Sequence, residues 1–250
     1  MPESILYALG AVVVVSLISL IGILILVIGE DRLRKGIFVL VSLSVGGLFG
    51  DAFIHLLPES FVRLESSMTC ALLVIGGIFG FFVLEKILQW RHDHNLGGDE
   101  TQIHPVGYMN LISDGLHNLF DGMLIGASFL AGTHIGITTT LAVIMHEIPQ
   151  EIGDFGVLLH AGFTKRKALL FNFFSASLAI VGTLAAVFLD ARVEGFSTLM
   201  LPLTAGGFIY IAGSDLIPEL HKDKNPLRSM IQLAAMTAGT GMMVALTLME

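Results

Sequence analysis

Residues 5–28 read ILYALGAVVVVSLISLIGILILVI, 24 positions without a charge. At 1.5 Å per residue this is about 36 Å of helix, enough to cross a hydrocarbon core of roughly 30 Å with some tilt. The preceding Met-Pro-Glu-Ser is acidic where a secretory leader would be basic, and the run is too long for a leader's apolar core, so a retained transmembrane helix is expected. Further apolar runs follow at 36–57, 70–90, 168–189, 198–220 and 229–249, each bounded by charge, Pro or Gly. The composition agrees: 54% of the 250 residues are hydrophobic and 14% charged, with a mean hydropathy of +0.82. A water-soluble fold has no interior large enough for that apolar content, so the lipid bilayer is the expected surrounding. The net charge of −8, from 13 basic and 21 acidic residues, offers no footprint for nucleic acid. With Cys70 as the single cysteine, an intrachain disulfide and a thiolate cluster are both excluded, and any metal must be held by nitrogen and oxygen.

The stretch 105–160 is also mostly apolar, but Asp114, His117, Asp121, His146, Glu147, Glu151 and Asp154 interrupt it. Read as two helices, Pro105–Leu130 and Ile135–His160, joined by an Ala131–His134 turn, it brings the total to eight spans. Loop charge supports that number, because Lys and Arg concentrate on the cytoplasmic side of membrane proteins. Arg32, Arg34, Lys35, Lys86, Arg91, Lys165, Arg166, Lys167, Lys222, Lys224 and Arg228 all fall in or beside odd-numbered loops, against Arg63 and Arg192 in the even ones. Both termini are therefore expected to be extracytoplasmic.

An internal repeat lies at an offset of 160: GGLFGDAFIHLLPES at 46–60 aligns without a gap on GGFIYIAGSDLIPEL at 206–220. The first copy belongs to span 2 and the second to span 7, which run in opposite directions. An inverted 3+2+3 arrangement follows, with spans 1–3 and 6–8 as repeats and spans 4 and 5 as the unmatched centre. Close helix packing at the Gly pairs and helix ends at Pro-Glu would explain the residues, but not their common register.

The chemistry concentrates in the centre. His117 and Asp121 stand at i and i+4, on one face of span 4, and His146 and Gln150 repeat that spacing on span 5. Two imidazoles, a carboxylate and an amide oxygen suit a borderline dication such as Zn²⁺, with Fe²⁺, Mn²⁺ and Cd²⁺ as competitors. Asn118 and Glu147, one residue further along each helix, build a neighbouring oxygen-rich site that shares Asp121 and Gln150, making a binuclear centre. An unpaired carboxylate at the bilayer midplane costs roughly 2.5–3.5 kcal/mol, which an ion or a water-filled path offsets. Pro149 lacks a donor and displaces the carbonyl of Met145, freeing an oxygen beside His146.

These residues closely resemble the ZIP (Zrt/Irt-like protein) family of divalent metal transporters, in particular the subfamily with the span-5 signature HEXPHEXGD. Residues 146–154 read HEIPQEIGD, residues 114–122 read DGLHNLFDG, and spans 2 and 7 carry GDAFIHLLPE and DLIPEL. The resemblance covers essentially the whole chain. It implies an all-α integral membrane protein of eight transmembrane helices with an inverted 3+2+3 repeat and both termini extracytoplasmic, moving divalent metal toward the cytoplasm. By it, His117, Asp121, His146 and position 150 hold the transported ion, while Asn118, Asp121, Glu147 and position 150 form the second site. Two departures stand out: Gln150 replaces the subfamily's histidine, and span 6 offers only Ser175 and Ser177 where some relatives supply a carboxylate.

The topology places Asp51, His55 and Glu59 between the centre and the outside, and Asp114, Glu151, Asp154, Asp215 and Glu219 toward the cytoplasm, as a stepwise pathway. Residues 91–104 form a short cytoplasmic loop with His92, His94 and His104 beside Asp93 and Asp99, read as a solvated linker or a weak metal-sensing segment. An intramembrane metalloprotease is the enzyme alternative, but its HExxH motif fails at Gln150 and Pro149 breaks the required spacing. A metal-gated channel or receptor is the third class. A homodimer through Gly- and Ala-lined faces is the oligomer considered. The short termini favour a plasma (inner) membrane, with an organelle membrane as the alternative.

Overall fold

The structure, a computed structural model, describes residues 3–23, 30–92 and 105–248, and among them all regular structure is helical. The helices form eight rods among the described residues. α1 joins Glu3–Ile18 to a 3-10 turn at Ser19–Gly22. α2 runs through Glu30–Gly50, a π-helical turn at Asp51–Leu56, and Leu57–Arg63. α3 is Ser67–His92, α4 Pro105–Ala131 and α5 Thr133–His160. α6 joins Lys165–Ala176 to Leu178–Asp190. α7 comprises Phe196–Tyr210, a second π turn at Ile211–Leu216, and Ile217–Leu220, and α8 is Pro226–Thr247. Six rods, α1, α2, α3, α6, α7 and α8, contain stretches long and apolar enough to cross a membrane. The chain is thus a multi-pass membrane protein. At 27 and 28 residues, α4 and α5 each reach about 40 Å but carry the internal acids.

Several boundaries differ from the sequence reading. The expected four-residue turn between the central helices shrinks to Gly132, in extended conformation at φ 173° and ψ 145°, so His134 enters the first turn of α5. The second apolar segment continues past residue 57 to Arg63. Pro58 does not end it, for a local reason. A proline lacks an N–H and crowds the carbonyl four residues back, here Ile54, which lies inside the π turn. The wider winding absorbs the mismatch. Pro218 and Ser214 stand in the same relation within the second π turn, 160 residues on. Residues 24–28 of the first apolar run lie outside the described residues, as do residues 93–104 with His94, His104, Asp93 and Asp99.

Glycines set the closest crossings. A Cβ on Gly46 would lie 2.0 Å from the Met236 carbonyl oxygen, and one on Gly239 2.3 Å from that of Leu43, so α2 and α8 touch backbone to backbone. α7 and α3 meet in the same way: Gly206 against Val74 at 2.1 Å, Gly77 against Leu203 at 2.2 Å. α4 and α6 interlock through Gly122 against Ala179 and Gly182 against Leu119, both at 1.9 Å. α1, α4, α5 and α6 form one packed group, and α2 bridges α8 to α5. The outer faces present large apolar side chains such as Leu72, Phe79, Leu184, Phe188 and Leu233, the surface that lipid tails cover. In the α7–α8 loop, the Asn225 N–H and the Arg228 guanidinium hold the Asp223 carboxyl below its ordinary range.

Candidate metal centre

α4 and α5 lie side by side as an antiparallel hairpin, and their i, i+4 faces meet at mid-length. There His117, Asp121, His146 and Glu147 each offer a ligand atom, all within 4.8 Å of one another. The spacings are specific. The two Nε2 atoms of His117 and His146 are 3.4 Å apart, His146 Nε2 lies 3.0 Å from Asp121 Oδ2, and His117 Nε2 3.8 Å. Glu147 Oε1 is 3.7 Å from each imidazole. Ligands about 2.0–2.1 Å from a tetrahedral Zn²⁺ stand about 3.3 Å apart, so these edges bracket the size of one coordination shell. Asp121, His146 and Glu147 are buried, and His117 is partly exposed.

The surroundings fit a cation. The Nδ1 of His146 is 3.1 Å from the Ala142 carbonyl. Donating its proton there, the ring turns the lone pair of Nε2 toward Asp121 and His117, the backing that metal-bound imidazoles ordinarily have. Asp121 Oδ1, Glu147 Oε1 and Asn118 Oδ1 are buried without a hydrogen-bond partner among the described residues. Interior oxygens left in that state are costly unless a cation or water satisfies them.

Asn118 and Gln150 stand beside this group. The Asn118 amide nitrogen donates to the Asp114 carboxylate at 2.8 Å, and Gln150 lines a cavity of about 220 Å³. His117, Asp114, Asp154, Glu85 and Asp215 share that cavity's wall, so the centre opens on its His117 side into an acidic chamber. Asp114 is also held by the Ser175 hydroxyl, Glu151 by the Asn172 amide, and Asp154 by Asn110 at 3.1 Å. Glu219 stands apart, exposed and paired with Lys222. At the Gly132 end of the hairpin, Asp51 and His55 are buried in the π turn of α2, while Glu59 pairs with Arg63 at 2.6 Å. Arg63 in turn donates to the last carbonyl of α4, that of Ala131, at 2.6 Å.

Pro149 frees the Met145 carbonyl, but the Ser44 hydroxyl of α2 takes it, so that oxygen braces α5 against α2. Ser44, Asn110, Asn172 and the Glu85–Tyr210 pair carry no motif signal, because their roles arise only where distant helices meet. Of the two span-6 serines, Ser175 reaches the chamber and Ser177 turns back to the Phe173 carbonyl.

A helical membrane protein in which two adjacent helices bring together a buried His/Asp/Glu cluster that could hold a metal ion points to the class of metal-handling membrane proteins. Comparison with known proteins narrows this. The profile of the ZIP zinc transporter family matches residues 4–105 and 91–247. The chain is 36% identical over 224 residues to the zinc transporter ZIP13 of Pongo abelii, covering 84% of this chain and 66% of the relative. It is 31% identical to the zinc transporter zipt-7.2 of Caenorhabditis elegans over 98% of this chain and 66% of that protein. Against the mouse zinc transporter SLC39A7 the identity is 29% over 98% of this chain and 70% of the relative. The chain thus spans about two thirds of the length of these relatives. It belongs to the ZIP zinc transporter family, whose members are transporters rather than enzymes.

Proposed function

We propose that this protein carries divalent metal ions, Zn²⁺ first among them, across a membrane toward the cytoplasm through the centre formed by His117, Asp121, His146 and Glu147. The observation that carries the reading is the set of four buried or half-buried donors whose ligand atoms all lie within 4.8 Å of one another, with each imidazole Nε2 3.0–3.8 Å from the other three. Fe²⁺, Mn²⁺ and Cd²⁺ are the competing ions for such a mixed donor set. Asn118 and Gln150 supply neutral oxygens for a second, weaker site beside the first, toward the chamber that Asp114, Glu151, Asp154 and Asp215 line or flank.

The topology proposed is eight spans with an inverted 3+2+3 repeat and both termini extracytoplasmic. Loop charge supports the orientation, and paired features support the repeat. Both π turns and both prolines recur at an offset of 160, and both glycine crossings recur between corresponding helices: Gly46 against Met236 corresponds to Gly206 against Val74, and Gly239 against Leu43 to Gly77 against Leu203, with the α2 and α7 residues 160 apart and the α3 and α8 residues 162 apart. That orientation sets Asp51, His55 and Glu59 on the extracytoplasmic side. The membrane is proposed to be a plasma membrane, with an organelle membrane as the alternative.

Uptake of radioactive Zn²⁺ into proteoliposomes tests the function. Saturable, gradient-dependent flux is expected from the parent and none from His117→Ala or His146→Ala. Parent-like flux in both variants would refute the centre, and non-saturating flux would favour a channel.

A further inference from the structure

We infer that the groove where the start of the α2 span meets the α7–α8 loop binds one anionic phospholipid, with its phosphate on Lys222, Lys224 and Arg228 and the upper part of its acyl chains against Ile37, Phe38 and Val41. The groove encloses about 530 Å³, within the roughly 300–1,000 Å³ of ordinary small-molecule sites. Its lining is layered. The apolar wall comes from the first turn of the α2 span, which begins at Ile37, and from Leu220, the last residue of the α7 span. The cations stand just beyond, in the loop that follows Leu220 and in the first turn of α8, which starts at Pro226. Apolar lining at the level where the spans end, with basic lining outside it, matches a phospholipid, whose acyl chains and phosphate are stacked in that order.

Charge selects the kind of lipid. Lys222, Lys224 and Arg228 face Glu219 and Asp223 across the groove, a surplus of one positive charge. Glu219 pairs with Lys222, and Arg228 Nη1 lies 2.9 Å from Asp223 Oδ2. Exposed pairs of this kind hold weakly, so a phosphate can share their cations. Lys224 has neither an ion pair nor a hydrogen bond through its side chain among the described residues. The Arg228 guanidinium lies over the Phe38 ring, 5.5 Å from its centroid, which keeps it at the apolar wall. Its Nε and Nη2 donors are left for a phosphate oxygen, since Asp223 engages Nη1. Beneath the loop, the buried Gln232 amide donates to the Leu220 carbonyl at 3.2 Å and fixes α8 against α7. A choline headgroup would bring its own cation to this rim, so phosphatidylglycerol is favoured over phosphatidylcholine.

On the orientation proposed above this loop is cytoplasmic, the side where anionic lipid gathers. The binding itself depends neither on that orientation nor on metal transport.

Native mass spectrometry of the full chain in detergent, titrated with dioleoylphosphatidylglycerol, provides the test. One saturable equivalent is expected, with dioleoylphosphatidylcholine binding about tenfold or more weaker. Lys224→Gln and Arg228→Gln together should weaken the phosphatidylglycerol equivalent about tenfold or more. Lys165→Gln and Arg166→Gln together remove the same charge from the exposed start of α6, and should change it less than about twofold. Glu219→Gln, which releases Lys222, should tighten it about twofold to threefold. Equal affinity for the two lipids, or equal weakening by the two charge pairs, overturns the site, the first as an unselective apolar groove and the second as diffuse surface attraction. Glu219→Gln binding no tighter than the parent counts against it independently of the other variants. Displacement of the lipid by an equal concentration of inorganic phosphate would assign the cations to a soluble anion and overturn it as well. Zn²⁺ flux in proteoliposomes is a separate reading, so a protein without flux that still retains phosphatidylglycerol refutes transport alone.

Discussion

Gly122→Ala should damage both stability and metal binding, and the structure says by how much. The added Cβ would stand 1.9 Å from the Ala179 carbonyl oxygen, whereas ordinary contact begins at 3.4 Å. The obstacle is backbone, so α4 and α6 must part by roughly 1.5 Å at this level. Overpacking of this kind typically costs about 1–3 kcal/mol. Asp121 is the neighbouring residue, and its Oδ2 stands 3.0 Å from His146 Nε2. Metal sites keep ligand distances to within about 0.2 Å, so a shift several times larger should weaken Zn²⁺ binding about tenfold or more. Gly153→Ala is the matched comparison on the adjacent helix: nothing lies within 4 Å of its added Cβ. Relieved of glycine's entropy cost, that variant should be as stable as the parent or more so, by up to about 1 kcal/mol. Thermal unfolding in detergent and Zn²⁺ titration against a chelating dye would read both effects. Equal behaviour of the two variants would refute the close-crossing argument.

Three further outcomes are expected. Ser44→Ala leaves the Met145 carbonyl without its donor, a loss of about 1–3 kcal/mol, and Pro149→Ala in that background should restore stability by returning an N–H; a double-mutant cycle without coupling would contradict the brace. Gln150→His should tighten Zn²⁺ binding and shift preference toward softer ions, because an imidazole replaces a neutral amide oxygen beside His117; unchanged affinity and ranking in titration would count against a role for position 150. Zn²⁺ at about one hundred times its Kd should stabilise the folded parent by about 2.7 kcal/mol, and do far less for His146→Ala; equal protection in a thermal-shift assay would place the bound ion elsewhere.

The membrane character, the central pair of helices that share a His/Asp/Glu cluster and the 160-residue offset were legible in the sequence because each depends on local pattern: an uncharged run, an i, i+4 spacing, a repeated GG…PE. What was hidden depended on distant segments meeting. Nothing near Ser44 announces that it takes the carbonyl Pro149 releases, and nothing near Asn172 or Ser175 announces a carboxylate partner on another helix. The π turns were invisible as well, since nothing in the residues ahead of Pro58 and Pro218 announces the wider winding that lets each helix continue past its proline. His134 read as a turn residue because Gly, Thr and His together suggest a loop, while tertiary packing allowed Gly132 alone to make the reversal. Glu147 was assigned to the neighbouring site, yet its Oε1 lies 3.7 Å from both imidazoles, a distance that depends on how the two helices are rotated.

Anomalous diffraction at the zinc edge, from crystals grown with Zn²⁺, bears most directly on the metal centre. A peak is predicted enclosed by His117 Nε2, His146 Nε2, Asp121 Oδ2 and Glu147 Oε1, and absent from His146→Ala crystals. Full zinc occupancy elsewhere in the protein, with no peak among those four side chains, would contradict the account.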